Sequence, residues 1–159
     1  MKTIVVSPDT CTGCRLCEIA CSLKITGEVN PHRARIRVYG YDSLCSLPVT
    51  CFQCERPECA EACPTGAITT DMATGVIRVD DSQCNGCEAC VLACPYGHMS
   101  FATNDGVAVK CELCAGQPEC VVFCPTGALA FGEADAALVE QQKDMAKQVR
   151  YPQTSSLVR

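Results

Sequence analysis

The chain has 159 residues, a formal charge of −5 and 48% hydrophobic residues, but that last figure counts 17 cysteines. Without them the apolar share is thin, and with four Phe, four Tyr and no Trp burial alone would hold so small a domain poorly. The negative charge argues against nucleic acid as a partner.

The first residues, Met1 to Pro8, carry an apolar run too short for a signal peptide, and no later run approaches the roughly 18 apolar residues of a membrane span. The compartment expected on those grounds is the cytoplasm, where thiols stay reduced and dense cysteines point to metal. In chain order, strands are expected at Thr3–Ser7, Ala67–Thr70, Val76–Asp80, Met99–Ala102, Val107–Lys110 and Ala128–Phe131. Short helices are expected at Arg15–Leu23, Glu58–Cys63, Glu88–Ala93 and Glu119–Phe123. Asp71–Gly75 and Thr103–Gly106 supply turn residues, and the insertion Arg33–Leu47 reads as a further strand pair. Glu133–Val149 lacks cysteine and reads as a terminal helix with Leu138, Met145 and Val149 as an apolar stripe, followed by a loose tail, Gln153–Arg159. That helix either packs on the body or serves as a partner-binding arm. The domain division is therefore 1–132 for the cysteine-rich body and 133–159 for the helix and tail.

Sixteen of the 17 cysteines fall into four groups of four. Cys11, Cys14, Cys17 and Cys21 are spaced C-x2-C-x2-C-x3-C, as are Cys84, Cys87, Cys90 and Cys94. Cys51, Cys54, Cys59 and Cys63 are spaced C-x2-C-x4-C-x3-C, and Cys111, Cys114, Cys120 and Cys124 C-x2-C-x5-C-x3-C. Pro64, Pro95 and Pro125 follow the last cysteine of the second, third and fourth groups; Ser22 stands there in the first. This is the run that holds 4Fe–4S clusters in bacterial ferredoxins, with the fourth cysteine reaching the other cluster of a pair. A tight loop presents three thiols to three corners of a cubane; a helical turn carries the fourth away, and proline then turns the chain outward. Zinc ribbons need four ligands per metal and lack the third cysteine with Cys-Pro, and a disulfide framework conflicts with the absence of a signal peptide. Four clusters, each about −2 with its thiolates, would add about −8 to the charge.

The chain also repeats itself. Cys11-Thr-Gly-Cys-Arg-Leu-Cys-Glu-Ile-Ala-Cys21 matches Cys84-Asn-Gly-Cys-Glu-Ala-Cys-Val-Leu-Ala-Cys94, and Pro57-Glu-Cys-Ala-Glu-Ala-Cys-Pro-Thr-Gly-Ala-Ile68 matches Pro118-Glu-Cys-Val-Val-Phe-Cys-Pro-Thr-Gly-Ala-Leu129. The fold class expected is α+β: two fused, pseudo-symmetric ferredoxin units of short strand pairs and short helices around the clusters, plus the C-terminal helix.

On these motifs, residues 1–132 resemble the four-cluster iron–sulfur subunits of molybdenum and tungsten oxidoreductases, hydrogenases and carbon monoxide dehydrogenase. In compactness and helical tail the chain most resembles the small subunit of tungsten-dependent aldehyde oxidoreductases. The resemblance implies nested pairing of motifs, first with fourth and second with third. Cys11, Cys14, Cys17 and Cys124 would then hold one cluster, and Cys111, Cys114, Cys120 and Cys21 its neighbour. Cys51, Cys54, Cys59 and Cys94 would hold a third, and Cys84, Cys87, Cys90 and Cys63 a fourth. Spacing alone leaves open a pairing of the third group with the fourth. The resemblance further implies a non-catalytic subunit with a large catalytic partner, bearing a tungsten or molybdenum pterin, and a flavoprotein, quinone module or ferredoxin beyond it. A free, diffusing ferredoxin and end-to-end self-association are the other readings. The sequence shows no Gly-rich nucleotide loop after a strand and no carboxylate or histidine constellation.

Three features stand apart. Cys45 reads as a small hydrophobe on a strand. His98, just after Cys94-Pro-Tyr-Gly, reads as a loop histidine with an ordinary hydrogen bond or as a modulator of a nearby cluster. His32-Arg33-Ala-Arg35-Ile-Arg37-Val38 alternates basic and apolar residues, as a half-exposed strand or a face for an acidic partner.

Overall fold

The computed structural model describes residues 2–40, 46–102, 105–133 and 135–150. Cys45, two residues of the 103–106 turn and the tail beyond 150 lie outside them. The body is built on four two-stranded antiparallel sheets. β1 (Lys2–Val6) pairs with β8 (Leu129–Glu133), from Lys2 opposite Glu133 to Val6 opposite Leu129. β2 (Arg37–Gly40) pairs with β3 (Ser46–Val49), β4 (Ile68–Thr70) with β5 (Ile77–Val79), and β6 (Ser100–Ala102) with β7 (Val107–Val109). The first and last strands of the body are thus partners, with the other pairs nested between them.

The helices carry cysteines and pack in the same nested order. α1 (Leu16–Thr26) lies against α4 (Glu119–Val122), and α2 (Glu58–Glu61) against α3 (Ala89–Ala93). Three of them stop at or just before the fourth cysteine, where proline follows and excludes the helical conformation. α1 runs on past Cys21, longer than Arg15–Leu23, because Ser22 replaces that proline. Ser22 is wholly buried, its Oγ donating to the Ile19 carbonyl at 2.9 Å and accepting from the Asn30 amide at 3.2 Å. The helix ends at Gly27, whose φ of 72° closes it as its backbone N–H donates a hydrogen bond to the Leu23 carbonyl. At their starts α1 and α3 are each one residue shorter than expected, because Arg15 (φ 60°) and Glu88 (φ 58°) are left-handed.

Ile4, Val6, Ala34, Ile36, Val38, Leu47 and Phe52 form the larger core together with Cys17, Cys21, Cys51, Cys111 and Cys120. A smaller core joins Ile68, Ile77, Met99 and Ala108 to Cys90 and Cys94. The half-buried Tyr96 packs against both. Cysteines lie inside both cores, where a domain of this size would ordinarily place aliphatic side chains.

α5 (Ala136–Arg150) starts three residues later than expected because Glu133 completes β8; Asp135 Oδ1 then accepts from the Ala137 amide at 3.1 Å. It packs on the body. Ala146 and Gln142 are buried, Met145 and Val149 touch the larger core, and Gln142 Nε2 donates to the Val6 carbonyl at 3.0 Å. In the 32–38 segment Ala34, Ile36 and Val38 are buried, but only Arg37–Gly40 is strand; Pro31–Arg33 forms a 3-10 turn capped by Asn30. Arg33 pairs with Asp105 across the surface at 3.3 Å. Among the described residues no helix is long and apolar enough to cross a membrane.

Candidate iron–sulfur centres

The four cysteine loops share a backbone device. Among the described residues, six non-glycine residues have positive φ, and all lie within these loops: Arg15, Gln53, Glu88, Leu113, Cys114 and Ala115. Such conformations cost of order 1–3 kcal/mol each and persist only where the surroundings impose them. They turn successive amides toward one side, which makes an anion-binding concavity. Gly13 (φ 70°) and Gly86 (φ 71°) occupy equivalent places in the first and third loops. A methyl at Gly86 would lie 2.8 Å from the Gly106 carbonyl oxygen, and one at Gly13 2.6 Å from Ser46 Oγ.

Three of the four loops face a cavity. One is lined by Cys11, Cys14 and Cys17 with Cys124. A second is lined by Cys111, Cys114 and Cys120 with Cys21. A third is lined by Cys84, Cys87 and Cys90 with Cys63. Each takes three cysteines from one motif and the fourth from another. The remaining set is close in space as well: Cys94 and Cys54 both push the Cys59 thiol upward, after burial, and Cys94 does the same at Cys54. One turn of α1, about 6 Å of rise, is what separates Cys17 in one cavity from Cys21 in the next.

Thiols crowded in this way resist ionisation. Burial pushes Cys17 and Cys51 up to about 12 and Cys21 and Cys59 up to about 11, and it drives Cys120 higher still. Iron bound among them would reverse that balance, since a coordinating metal deprotonates its thiol. The fourth cysteines of motifs two and four are prepared differently. The Thr65 hydroxyl lies 3.6 Å from Cys63 Sγ and holds that thiol below its ordinary value. Thr126 lies 3.8 Å from Cys124 Sγ, where burial raises the thiol but the Leu129, Thr126 and Ala128 amides and the Thr126 hydroxyl outweigh it and hold it below its ordinary value. Amides also approach sulfur, Arg35 N to Cys21 Sγ at 3.2 Å and Ala108 N to Cys84 Sγ at 3.5 Å.

The donor set and the spacing fit a cluster better than a single ion. Among the described residues no three Cys, His, Asp or Glu side chains converge closely enough to hold one metal ion; the thiols ring a space instead. Soft thiolates around such a space suit iron–sulfur clusters.

His98 departs from an ordinary loop histidine. It is buried, its ring edge-on to Phe52 at 4.8 Å, and among the described residues its Nε2 has no hydrogen-bond partner. Burial, with Arg150 and Lys110 nearby, lowers it to about 3, so it stays neutral. Sequence reasoning gave no role to Thr65, Thr126, Gln53 or Lys110. The threonines were visible in the repeated Cys-Pro-Thr-Gly-Ala, whereas Gln53 and Lys110 carried no signal beyond standing beside cysteines.

Residues 43–134 match the 4Fe-4S dicluster domain family, and residues 8–28 match a 4Fe-4S binding domain. The chain therefore belongs to the 4Fe-4S dicluster domain family. It is 44% identical over 110 residues to the aliphatic sulfonate oxidoreductase polyferredoxin-like subunit of Pyrococcus furiosus, covering 69% of this chain and 64% of that one. To an iron-sulfur protein of Rhodospirillum rubrum it is 35% identical over 129 residues, covering 69% of this chain and 66% of that one. The chain thus spans just under two thirds of the length of these two relatives. To subunit beta of the NADH-dependent phenylglyoxylate dehydrogenase of Aromatoleum evansii it is 37% identical, over 70% of this chain and 26% of that one. Among solved structures, the BamBC complex of benzoyl coenzyme A reductase with benzoyl-CoA aligns at a TM-score of 0.47 and 26% identity, covering 91% of this chain and 88% of that one.

Proposed function

We propose that this chain is the electron-transfer subunit of an oxidoreductase complex and holds four 4Fe–4S clusters in a line. The observation that carries the reading is the set of three cavities, each ringed by three cysteines of one motif and the fourth cysteine of its nested partner. The same ring of four thiols, built each time from different parts of the chain, suits one repeated guest. The ligand sets proposed are Cys11, Cys14, Cys17 and Cys124; Cys111, Cys114, Cys120 and Cys21; Cys51, Cys54, Cys59 and Cys94; and Cys84, Cys87, Cys90 and Cys63. The packing of α1 on α4 and of α2 on α3 supports the nesting, and the internal repeat supports two duplicated units.

The line follows from shared elements. The Cys11 and Cys111 sites share α1 and α4, and the Cys51 and Cys84 sites share α2 and α3. The Cys51 thiol in turn senses Cys111, which joins the two pairs in the middle. Exposure agrees with that order. Cys14 and Cys87, in the two outer sites, are exposed although Cys17 and Cys90 there are buried, whereas none of the inner-site thiols is exposed. A cluster, when bound, takes up and returns one electron. The chain's own part is to hold the thiols in place, to aim amides and the Thr65 and Thr126 hydroxyls at sulfur, and to keep water from the inner sites.

The partner proposed is a large catalytic subunit, with a tungsten or molybdenum pterin aldehyde oxidoreductase as the specific candidate, and a flavoprotein, quinone module or ferredoxin at the other end. Support comes from the relatives, two of which are named as subunits of oxidoreductases. The test is metal and sulfide analysis of the purified protein, with about 16 iron atoms expected per chain, followed by capture of the tagged chain from its host. Zinc in place of iron, or far less iron, would sink the cluster reading. A chain that travels alone and accepts electrons from unrelated enzymes would sink the subunit reading.

A further inference from the structure

Lys110 and Gln53 are hydrogen-bonded to each other and buried, at 3% and 2% exposed. Lys110 directly precedes Cys111, and Gln53 lies between Cys51 and Cys54 with a left-handed φ of 50°. Lys110 Nζ donates to three oxygens: the Cys111 carbonyl at 2.8 Å, Gln53 Oε1 at 3.3 Å and the Ile77 carbonyl. Three acceptors take all three protons of an ammonium; a neutral amine would set its lone pair against one of them. Gln53 is engaged through both atoms of its amide. Its Nε2 donates to the Cys111 carbonyl at 2.8 Å, and its Oε1 also accepts from the Ile77 amide at 2.9 Å.

This ammonium has no carboxylate. Lys110 takes part in none of the ion pairs among the described residues. A buried charge without a counter-charge is strongly unfavourable, and carbonyl dipoles compensate only part of it. The negative charge within reach is that of the cysteine sites on either side.

We infer that Lys110, fixed by Gln53, is a built-in cation at the junction of the two cluster pairs, neutralising the Cys51 and Cys111 sites and raising their reduction potentials. The inference rests on the cluster reading above. Reducing a cluster adds one negative charge beside the ammonium, as ionising a thiol does, so Lys110 favours the reduced state. The consequence for the line is that electrons settle most readily at its centre, where one ferredoxin-like pair hands over to the other. A structural strut between two loops would need the hydrogen bonds of Lys110 but not its charge.

The experiment uses the full chain loaded with iron and sulfide, titrated potentiometrically with EPR detection, as wild type, Lys110→Met, Lys110→Arg and Gln53→Glu. A neighbouring opposite charge biases such equilibria by about tenfold or more. At least one cluster of Lys110→Met should therefore become at least about tenfold harder to reduce, about 59 mV for one electron. Lys110→Arg, which keeps the charge, should stay with the wild type, and Gln53→Glu, which neutralises it in place, should move with Lys110→Met. A fully loaded Lys110→Met with wild-type potentials overturns the inference. If Lys110→Met loses a cluster, the other two variants decide: wild-type potentials in Gln53→Glu, or a lowered potential in Lys110→Arg, overturn it. Wild-type protein that takes up no iron sinks the cluster reading itself, a separate result.

Discussion

Removing cysteines in pairs separates the nested ligand sets from ligation within each motif. Cys124 lines the cavity of Cys11, Cys14 and Cys17, while Cys120, four residues earlier, lines the cavity of Cys21, Cys111 and Cys114. Cys124→Ala alone removes one ligand from one site under either scheme, leaving about 12 of about 16 iron atoms. The doubles differ. Cys11→Ala with Cys124→Ala strikes one site twice and leaves about 12, whereas Cys120→Ala with Cys124→Ala strikes two sites and leaves about 8. If each fourth cysteine served its own motif, the two doubles would exchange values. The assay is iron and acid-labile sulfide per chain after anaerobic reconstitution, checked by native mass spectrometry. A reversed pair of values would refute the argument from the cavities, and equal values would refute separate sites. The Cys51 and Cys84 sites offer the same contrast, about 12 for Cys63→Ala with Cys84→Ala against about 8 for Cys59→Ala with Cys63→Ala.

Gly86→Ala would force a methyl to within 2.8 Å of the Gly106 carbonyl oxygen at a φ of 71°; that clash with backbone, added to about 1–3 kcal/mol of left-handed strain, should cost the Cys84 site its iron. Gly66→Ala, at φ 67° but with open space around it, carries the same strain without the clash and is the control that should keep its full iron content. Ser22→Pro would place a ring against the preceding turn of α1 and remove the acceptor of the Asn30 amide, a loss of about 3 kcal/mol or more. Guanidinium unfolding followed by circular dichroism should show a lowered midpoint, and an unmoved one would contradict the role given to Ser22. His98 is lowered to about 3 in the fold, so below its ordinary value near 6.5 only the unfolded chain takes the proton and stability falls with pH. Between pH 7 and 5.5 that amounts to about 1 kcal/mol, which His98→Phe should abolish in paired unfolding curves; equal slopes for the two proteins would refute it.

The cysteine loops were legible because their spacing is local. A cubane's corners fix which residues within a dozen positions carry thiols, and no tertiary information is needed to see it. The helices and strands around them followed from the same punctuation, with boundaries off by one to three residues. The misses have physical reasons: the left-handed Arg15 and Glu88 delay their helices, and Ser22 in place of proline lets α1 continue to Thr26. The nested assignment came from resemblance, since spacing left the third and fourth motifs free to pair. Lys110 was illegible for another reason. A lysine beside a cysteine reads as surface, and only the approach of residues 53, 77 and 111 buries it. Glu18 is similar: 2% exposed, it accepts from the Val38 amide at 2.7 Å across twenty residues of chain.

The pairing of β1 with β8 bears on how the molecule is made. Lys2 finds its strand partner at Glu133, so the outermost sheet must wait until translation has carried that residue out of the ribosome. The two proposed sites that draw on α1 depend in the same way on Cys111, Cys114, Cys120 and Cys124. Every thiol of the two sites between residues 51 and 94, by contrast, has been synthesised before the fourth motif begins. Cofactor insertion can therefore proceed from the middle of the sequence outward, with the N-terminal motif, first to emerge, among the last to be filled.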